Sequence, residues 1–413
     1  MPASNAPWFP VGRDNTDGWR LDVVSILAIL GESLMASHIQ PLSASLLCML
    51  PRLLPAPQSF LKYTRESKLP SRPATVCGVH SGVLPSRLNY FANILIPISG
   101  LKAFQVEVCE ITYAPRQRHT HGEGSPQEPI IPPHSLSPIN ILTVVSSGLT
   151  MGAIFWAMAI HDGAAVFALS AMSGASTLIG IAGYWRPRLA SRPADVPVPP
   201  GDVVIRTESG AFLIVRCSEE IARELYTGAE NGDYLVNEQW AKGLLGCGTL
   251  LVIASVIFLG NCSWTMQVVI AVIYVALNTF YWVASLLPPS WLWDLSRYNL
   301  LYKTPEHLRD AHISHGHKNK ANYTRTLWYA IQETKKVDWI TNSNAAPKHP
   351  AWDEWLKEAY ANRDNANWDA IGVKDKLMGE ISRNSGLEPD ERTLCRQGET
   401  SHETSRETST LSD

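Results

Sequence analysis

The chain has 413 residues, enough for more than one structural unit, and a net charge of −3 with a pI near 6.5. That balance lacks the basic footprint of a nucleic-acid-binding protein, so no nucleic-acid partner is expected. The seven cysteines (Cys48, Cys77, Cys109, Cys217, Cys247, Cys262, Cys395) are odd in number and never spaced C-x-x-C, which argues against a zinc framework and a disulfide scaffold.

The opening MPASNAPWFPVGRDNTDGWR has no basic start followed by an apolar core, and no cleavable signal peptide is expected. The stretch LDVVSILAILGESLMASH, 21–38, is a candidate membrane helix interrupted by Asp22 and Glu32. A carboxylate in lipid is costly, and the residues leave both a spanning and a non-spanning reading open. The rest of the region 1–113 has little pattern. From 52 to 118 it carries nine Lys/Arg against three Glu, which suits a cytoplasmic side. A Pro-rich linker follows over 114–138.

Four blocks free of Asp, Glu, Lys, Arg and His come next, at 139–160, 163–184, 243–260 and 265–287. A hydrocarbon core of ~30 Å takes about 20 such residues as a helix, so each block is expected to span a membrane. Trp156, Tyr184, Trp185, Trp264, Tyr281 and Trp282 sit near block ends, where amphipathic rings favour the interface. Only HD separates the first two blocks and only NCSW the last two, predicting two transmembrane hairpins over 139–185 and 243–287. Lys and Arg mark the cytoplasmic side; Arg186, Arg188, Arg192 and Lys242 flank the ends opposite the short turns. The middle loop and the C-terminus are therefore expected to be cytoplasmic. Within the second block, Ser170/Gly174 and Ala171/Ala175 form small-xxx-small pairs suited to close helix packing.

The middle loop, 186–242, contains VVIR and AFLIVRC on either side of TESG, the signature of a β-hairpin. Ser218, followed by Glu219 and Glu220, predicts a capped helix after it. Beyond the last block, the region 288–382 is Trp-rich. Trp291, Trp293 and Tyr298 are expected at headgroup depth. Leu327, Trp328 and Ile331, then Trp352, Trp355, Leu356 and Ala359, give apolar faces to two short helices, free to dock on the membrane, on the middle loop or on a protein partner. The Ser/Thr/Glu-rich end, 383–413, is expected to be disordered.

Between these helices lies RDAHISHGHKNK. His312, His315 and His317 are weak candidates for a metal site: His312 and His315 could share a helical face. However, no cysteine lies near, and Lys318 and Lys320 would oppose a cation. A solvated linker is expected, with no bound metal or cofactor. Asn261 and Asn322 head N-glycosylation sequons. The first sits almost in the bilayer and the second on the expected cytoplasmic side, so neither is expected to be modified. No phosphate-binding loop, dinucleotide fingerprint or nucleophile elbow occurs.

The stretches VPPGDVVIRTESGAFLIVRCSEEIARELY, GNCSWTMQ, LNTFYWVASLLP…WDLSRY and TRTLWYAIQETKKVDWI…AAPKHPAWDEWL make 139–356 resemble a group of uncharacterised multi-pass membrane proteins of filamentous fungi. The resemblance implies a membrane location and brings no activity. Some of its members neighbour secondary-metabolite genes. The expected fold is an all-α membrane protein, a four-helix transmembrane bundle of two hairpins with small cytoplasmic α+β elements and disordered termini. The expected function is that of a non-enzymatic scaffold or accessory protein, contacting lipid and a protein partner through the loop and tail. The alternatives are an accessory or transporter subunit of a secondary-metabolite pathway, which would need homo-oligomerisation to build a pore, and a membrane enzyme using the interfacial histidines.

Overall fold

In a computed structural model of the chain, residues 39–57, 65, 69–115, 130–190, 198–314, 321–365 and 367–384 are described. The candidate helix 21–38, residues 116–129 of the Pro-rich linker, His315, His317 and the end of the chain lie outside them. The first described elements are short strands β1 (Arg72–Pro73), β2 (Thr75–Gly78) and β3 (Arg87–Leu88), helix α1 (Tyr90–Leu95) and strand β4 (Val106–Tyr113). The long helices α2 (Pro138–Ala159) and α3 (Gly163–Gly183) follow. Then come β5 (Trp185–Leu189), β6 (Val203–Arg206), β7 (Phe212–Arg216), α4 (Glu219–Ala222) and β8 (Glu230–Tyr234). Two more long helices, α5 (Glu238–Leu259) and α6 (Trp264–Ser285), precede β9 (Tyr298–Tyr302). The last elements are α7 (Glu306–Arg309), α8 (Tyr323–Thr334), α9 (Asp338–Asn342), α10 (Pro350–Ala361) and α11 (Ala370–Asn384).

Helices α2, α3, α5 and α6 are each long and apolar enough to cross a membrane, with mean hydropathies of 1.7 to 2.0 over their most apolar windows. Their starts are marked by local chemistry. Ser137 accepts a hydrogen bond from the Asn140 amide ahead of Pro138, and Asp162 accepts one from Ala165. Asp162 also accepts from the Ser263 amide at 2.8 Å, tying the two short turns together at one end of the helices. Of the α3 window 61 % is buried, against 28, 22 and 33 % for α2, α5 and α6, so α3 is the central helix.

The closest packing among the long helices runs across the two hairpins. The closest partner of α3 is α5, and α2 packs on both α3 and α6; α5 and α6 share a short turn without packing closely along their lengths. Small residues explain the choice. A Cβ on Gly248 of α5 would come within 3.1 Å of Ile179 of α3, and one on Gly174 within 3.4 Å of Leu251. Such contacts let two backbones approach closely where lipid gives no hydrophobic drive.

Outside the long helices, the structure is more than the small α+β elements expected. A five-stranded sheet has the order β2-β6-β7-β4-β9, with β4 and β7 parallel and the other pairs antiparallel. The β6–β7 hairpin turns at Gly210, whose φ of +76° suits glycine. Alternation along the strands serves two layers. Val203, Ile205, Leu213, Val215, Cys109 and Ile111 join the core that reaches the long helices, while Val204, Phe212, Ile214, Val106 and Val108 join a second core with Leu327, Trp328, Trp339 and Trp355. Strands buried on both faces read as unbroken apolar runs, as VVIR and FLIVR do. The Trp-rich helices thus cover the far face of the sheet.

Several aromatic placements differ from expectation. Trp156, Trp264, Trp282 and Trp291 are exposed, as interface residues would be, but Tyr184, Trp185, Tyr281, Trp293 and Tyr298 are buried. The reason is packing: Trp293 meets Tyr90, Phe91 and Trp185 edge-on, in a cluster at the junction of helices and sheet. Tyr298 opens β9.

Candidate functional site

The segment 39–57 runs between the long helices without being a long helix itself. Residues 39–43 are helical, one short turn follows over Leu46–Met49, capped by Ser45, and from Pro51 to Ala56, where Pro51 and Pro55 each remove an amide donor and lock φ, the backbone is irregular. Its backbone is satisfied by hydroxyls instead. Thr150 Oγ1 accepts from the Leu53 amide at 2.8 Å, and Ser146 and Ser147 donate to the carbonyls of Leu53 and Pro51. Ser176 donates to Leu50 O at 3.4 Å, and Tyr274 OH accepts from the Ala56 amide at 3.1 Å. At 1.5 Å per residue, Thr150, Ser176 and Tyr274 lie roughly 18, 20 and 15 Å along their helices, near mid-length. Irregular backbone at that depth survives only where protein groups meet its polar atoms.

The start of this segment, and Arg65 further along the chain, sit at the sheet end of the helices. Trp185 Nε1 donates to Gln40 O, and Arg65 donates to the carbonyls of Val236 and Ala182. Where the segment passes α3, a Cβ at Gly180 would overlap the Cys48 carbonyl. Between the segment, α3 and the start of α5 lies a small cavity of about 30 Å³. Among the described residues, Arg52 and Arg65 line it together with Ser43, Ser176, Leu54 and Leu245. Arg52 is 1 % exposed, and its Nε and Nη1 have no hydrogen-bond partner among the described residues.

A second buried polar group ties the sheet to the middle loop. Glu224 lies in a single π-helical turn, Arg223–Thr227, that continues α4. It accepts from Tyr298 OH at 2.7 Å and from Arg297 at 3.2 Å. Arg297 in turn lies over the Tyr113 ring, which stacks on Tyr298. Burial, with the Glu224 carboxylate beside it, pushes the Tyr298 phenol well above its ordinary range.

Glu230 of β8 plays a capping role for α1, accepting from the amides of Tyr90 and Phe91 at 2.7 and 3.1 Å. Burial pushes its carboxyl from 4.5 up to about 7, against the lowering effect of those two hydrogen bonds. A carboxyl raised on folding contributes stability that is present below its unfolded pKa and lost as pH rises through the folded one. The loss therefore falls between about 4.5 and 7 and amounts to something on the order of 3 kcal/mol. Glu230→Gln should flatten that part of the thermal stability profile and make the variant the more stable protein at pH 8. Parallel profiles for the two proteins from pH 4.5 to 8 would refute the assignment.

The residues singled out by sequence fall in separate places. His312 is half-buried in the turn after α7, and His307 meets the Tyr329 ring edge-on. Among the described residues, no three His, Cys, Asp or Glu side chains converge as metal ligands. Asn261 is exposed in the α5–α6 turn, where its amide donates to Ile257 O. Asn322 is the cap of α8, with Oδ1 accepting from the Arg325 amide at 2.9 Å. On α3, Ala171 and Ala175 are buried and Gly174 faces Leu251, whereas Ser170 is exposed and takes no part in the buried stripe. Sequence reasoning missed Arg52, Glu224 and Glu230. A signal for the first existed: the hydroxyl-rich faces of α2 and α3 are unusual in helices bound for lipid.

Comparisons with protein-family models, with curated proteins and with solved structures return no match to this chain.

Proposed function

We propose that the chain is a multi-pass integral membrane protein that works as a non-enzymatic scaffold or accessory protein, with its sheet and Trp-rich helices forming a cytoplasmic platform fixed to the bilayer. The supporting observation is the girdle of apolar side chains turned outward from the long helices. Phe155, Phe167, Leu250, Ile253, Val272 and Phe280 are all exposed. Exposed apolar area of that extent suits lipid contact rather than water. Exposed tryptophans stand at both limits: Trp156 and Trp264 toward the short turns, Trp240, Trp282 and Trp291 toward the sheet. The interior between α2, α3 and α6 is occupied by the segment 39–57, which favours an anchor over a pore.

The orientation rests on charge. Arg186, Arg188 and Lys242 lie at the sheet end, while the two short turns contain no Lys or Arg. In sealed microsomes carrying the full chain, a C-terminal tag should be destroyed by added protease. A protected tag would place the platform on the opposite side. The protein should also remain in the membrane pellet through an alkaline carbonate wash, and its release would overturn the membrane reading itself.

A further inference from the structure

The two edges of the five-stranded sheet end differently. At the β2 edge, the Val76 and Gly78 amides point away from β6 and donate to Pro85 O at 3.1 Å and Val83 O at 3.0 Å, so the chain covers that border itself. At the β9 edge there is no such cover among the described residues. The ladder to β4 uses the Lys303 amide, which donates to Val108 O, and Arg297 O, which accepts from the Ala114 amide. Every second residue between them, Asn299 and Leu301, therefore faces β4, and the amides and carbonyls of Leu300 and Tyr302 face outward. Among the described residues, these outward groups have no backbone partner. The side chains at this edge are apolar and open: Leu301 is 45 % and Tyr302 58 % exposed. Such an edge is a template for another strand, and proteins ordinarily cover, bend or charge it. The charge at this one, Lys303, is paired with Glu110 of β4.

The strand is complementary to itself. When two β9 strands run antiparallel about Leu301, that residue meets Leu301 of the second copy on the face shared with Val106 and Val108. Leu300 and Tyr302 exchange backbone hydrogen bonds with Tyr302 and Leu300 of the second copy, and Leu packs on Tyr across the other face. Asn299 stands opposite Lys303, so no like charges oppose each other. The symmetry also suits a bilayer. The two-fold axis of such a pair is perpendicular to the sheet, and one face of the sheet looks toward the long helices through Val215, Cys109 and Ile111. On the membrane reading just proposed, on which this inference rests, both copies then enter one bilayer in the same orientation. We propose that the chain forms a homodimer in which two β9 strands pair antiparallel about Leu301 and join the two sheets into one. Two strands of five residues make a small contact. Anchorage of both copies in one membrane raises their effective concentration and makes that contact sufficient.

The test uses the full chain in isolated membranes of the expressing cell, with mild oxidation applied to cysteine variants; the parent chain sets the background from its native cysteines. Directly opposed residues of a non-hydrogen-bonded pair lie about 4.5 Å apart at Cα, within disulfide range, so Leu301→Cys should give a disulfide-linked dimer. In Asn299→Cys the two introduced thiols stand four residues apart along the paired strands, about 13 Å, and linkage should stay at background. The linked fraction is expected to differ about tenfold or more between the two variants. Adding Tyr302→Pro to Leu301→Cys should return linkage to background, because proline removes an outward amide that β4 does not use and leaves β9 its own pairing. Linkage in Leu301→Cys no greater than in Asn299→Cys overturns the proposal, and so does linkage that Tyr302→Pro leaves intact. Should Tyr302→Pro fail to fold, the comparison of Leu301→Cys with Asn299→Cys decides it. A carbonate wash of the parent protein is read in parallel: release from the pellet refutes the membrane reading, whereas a pelleted protein without linkage through Leu301→Cys refutes only the dimer.

Discussion

Gly180→Ala is expected to lose most of its folded yield in detergent, while Gly152→Ala is expected to behave as the parent protein. Both changes add one methyl to a long apolar helix, and helix propensity alone would favour each by about 1 kcal/mol. Their surroundings differ. Nothing lies within 4 Å of where a Cβ on Gly152 would stand, while at Gly180 it would overlap the Cys48 carbonyl. A side chain can rotate aside; this backbone is held in place by hydroxyls from α2, α3 and α6. Overpacking of a well-packed site costs roughly 1–3 kcal/mol even where neighbours can adjust, and here the segment 39–57 must leave its place. Dislodging it would leave Thr150, Ser146 and Ser176 with fewer partners inside the helices. Thermal unfolding and limited proteolysis of both variants test this, and a Gly180→Ala protein indistinguishable from Gly152→Ala would mean that the segment does not lie against α3.

The second large effect is expected at Glu224. Glu224→Ala should destabilise the protein by about 3–5 kcal/mol, because removing one member of a buried ion pair strands the other. Here Arg297 would lose its carboxylate and the Tyr298 hydroxyl its acceptor. Tyr298→Phe removes only the hydroxyl and should cost about 1 kcal/mol. Glu224→Ala with Arg297→Leu should recover part of the loss, since an apolar pair of similar shape can replace a buried ionic one. Chemical unfolding of the extramembrane part, followed by tryptophan fluorescence, provides the measurement. A Glu224→Ala cost no greater than that of Tyr298→Phe would show that the network contributes only hydrogen bonding.

The long helices could be read from the sequence because their signal is local: some twenty uncharged residues allow few alternatives. The β6–β7 hairpin was legible for the same reason, with two apolar runs around TESG. The sheet around it was not. β2 and β4 lie before the first long helix and β9 after the last, and their pairing depends on contacts between distant segments that no window of sequence contains. β4 buries Val106 and Val108 on one face and Cys109 and Ile111 on the other, so VEVCEITY carries no single alternating stripe to mark a half-buried strand. Trp293 and Tyr298 were misplaced because an aromatic residue beside a membrane helix looks the same whether it faces headgroups or a core. Candidate site residues were chosen by chemical type, which drew attention to clustered histidines. Arg52 sits among leucines and prolines, and only the fold makes its charge conspicuous.

The sheet also dictates an order of assembly. Val106 of β4 pairs beside Phe212 of β7, which emerges only after two long helices have been made, and Cys109 pairs beside Tyr302 of β9, after all four. A strand waiting for such partners exposes unpaired amides and carbonyls, and distant pairing is slow. During synthesis β2 and β4 must therefore remain unpaired until β6 and β7 emerge after the second long helix, and the far edge of β4 stays open until β9 follows the fourth. Completion of the sheet then reports that all four long helices have been made, and a chain stalled after α5 would carry an open β4 edge.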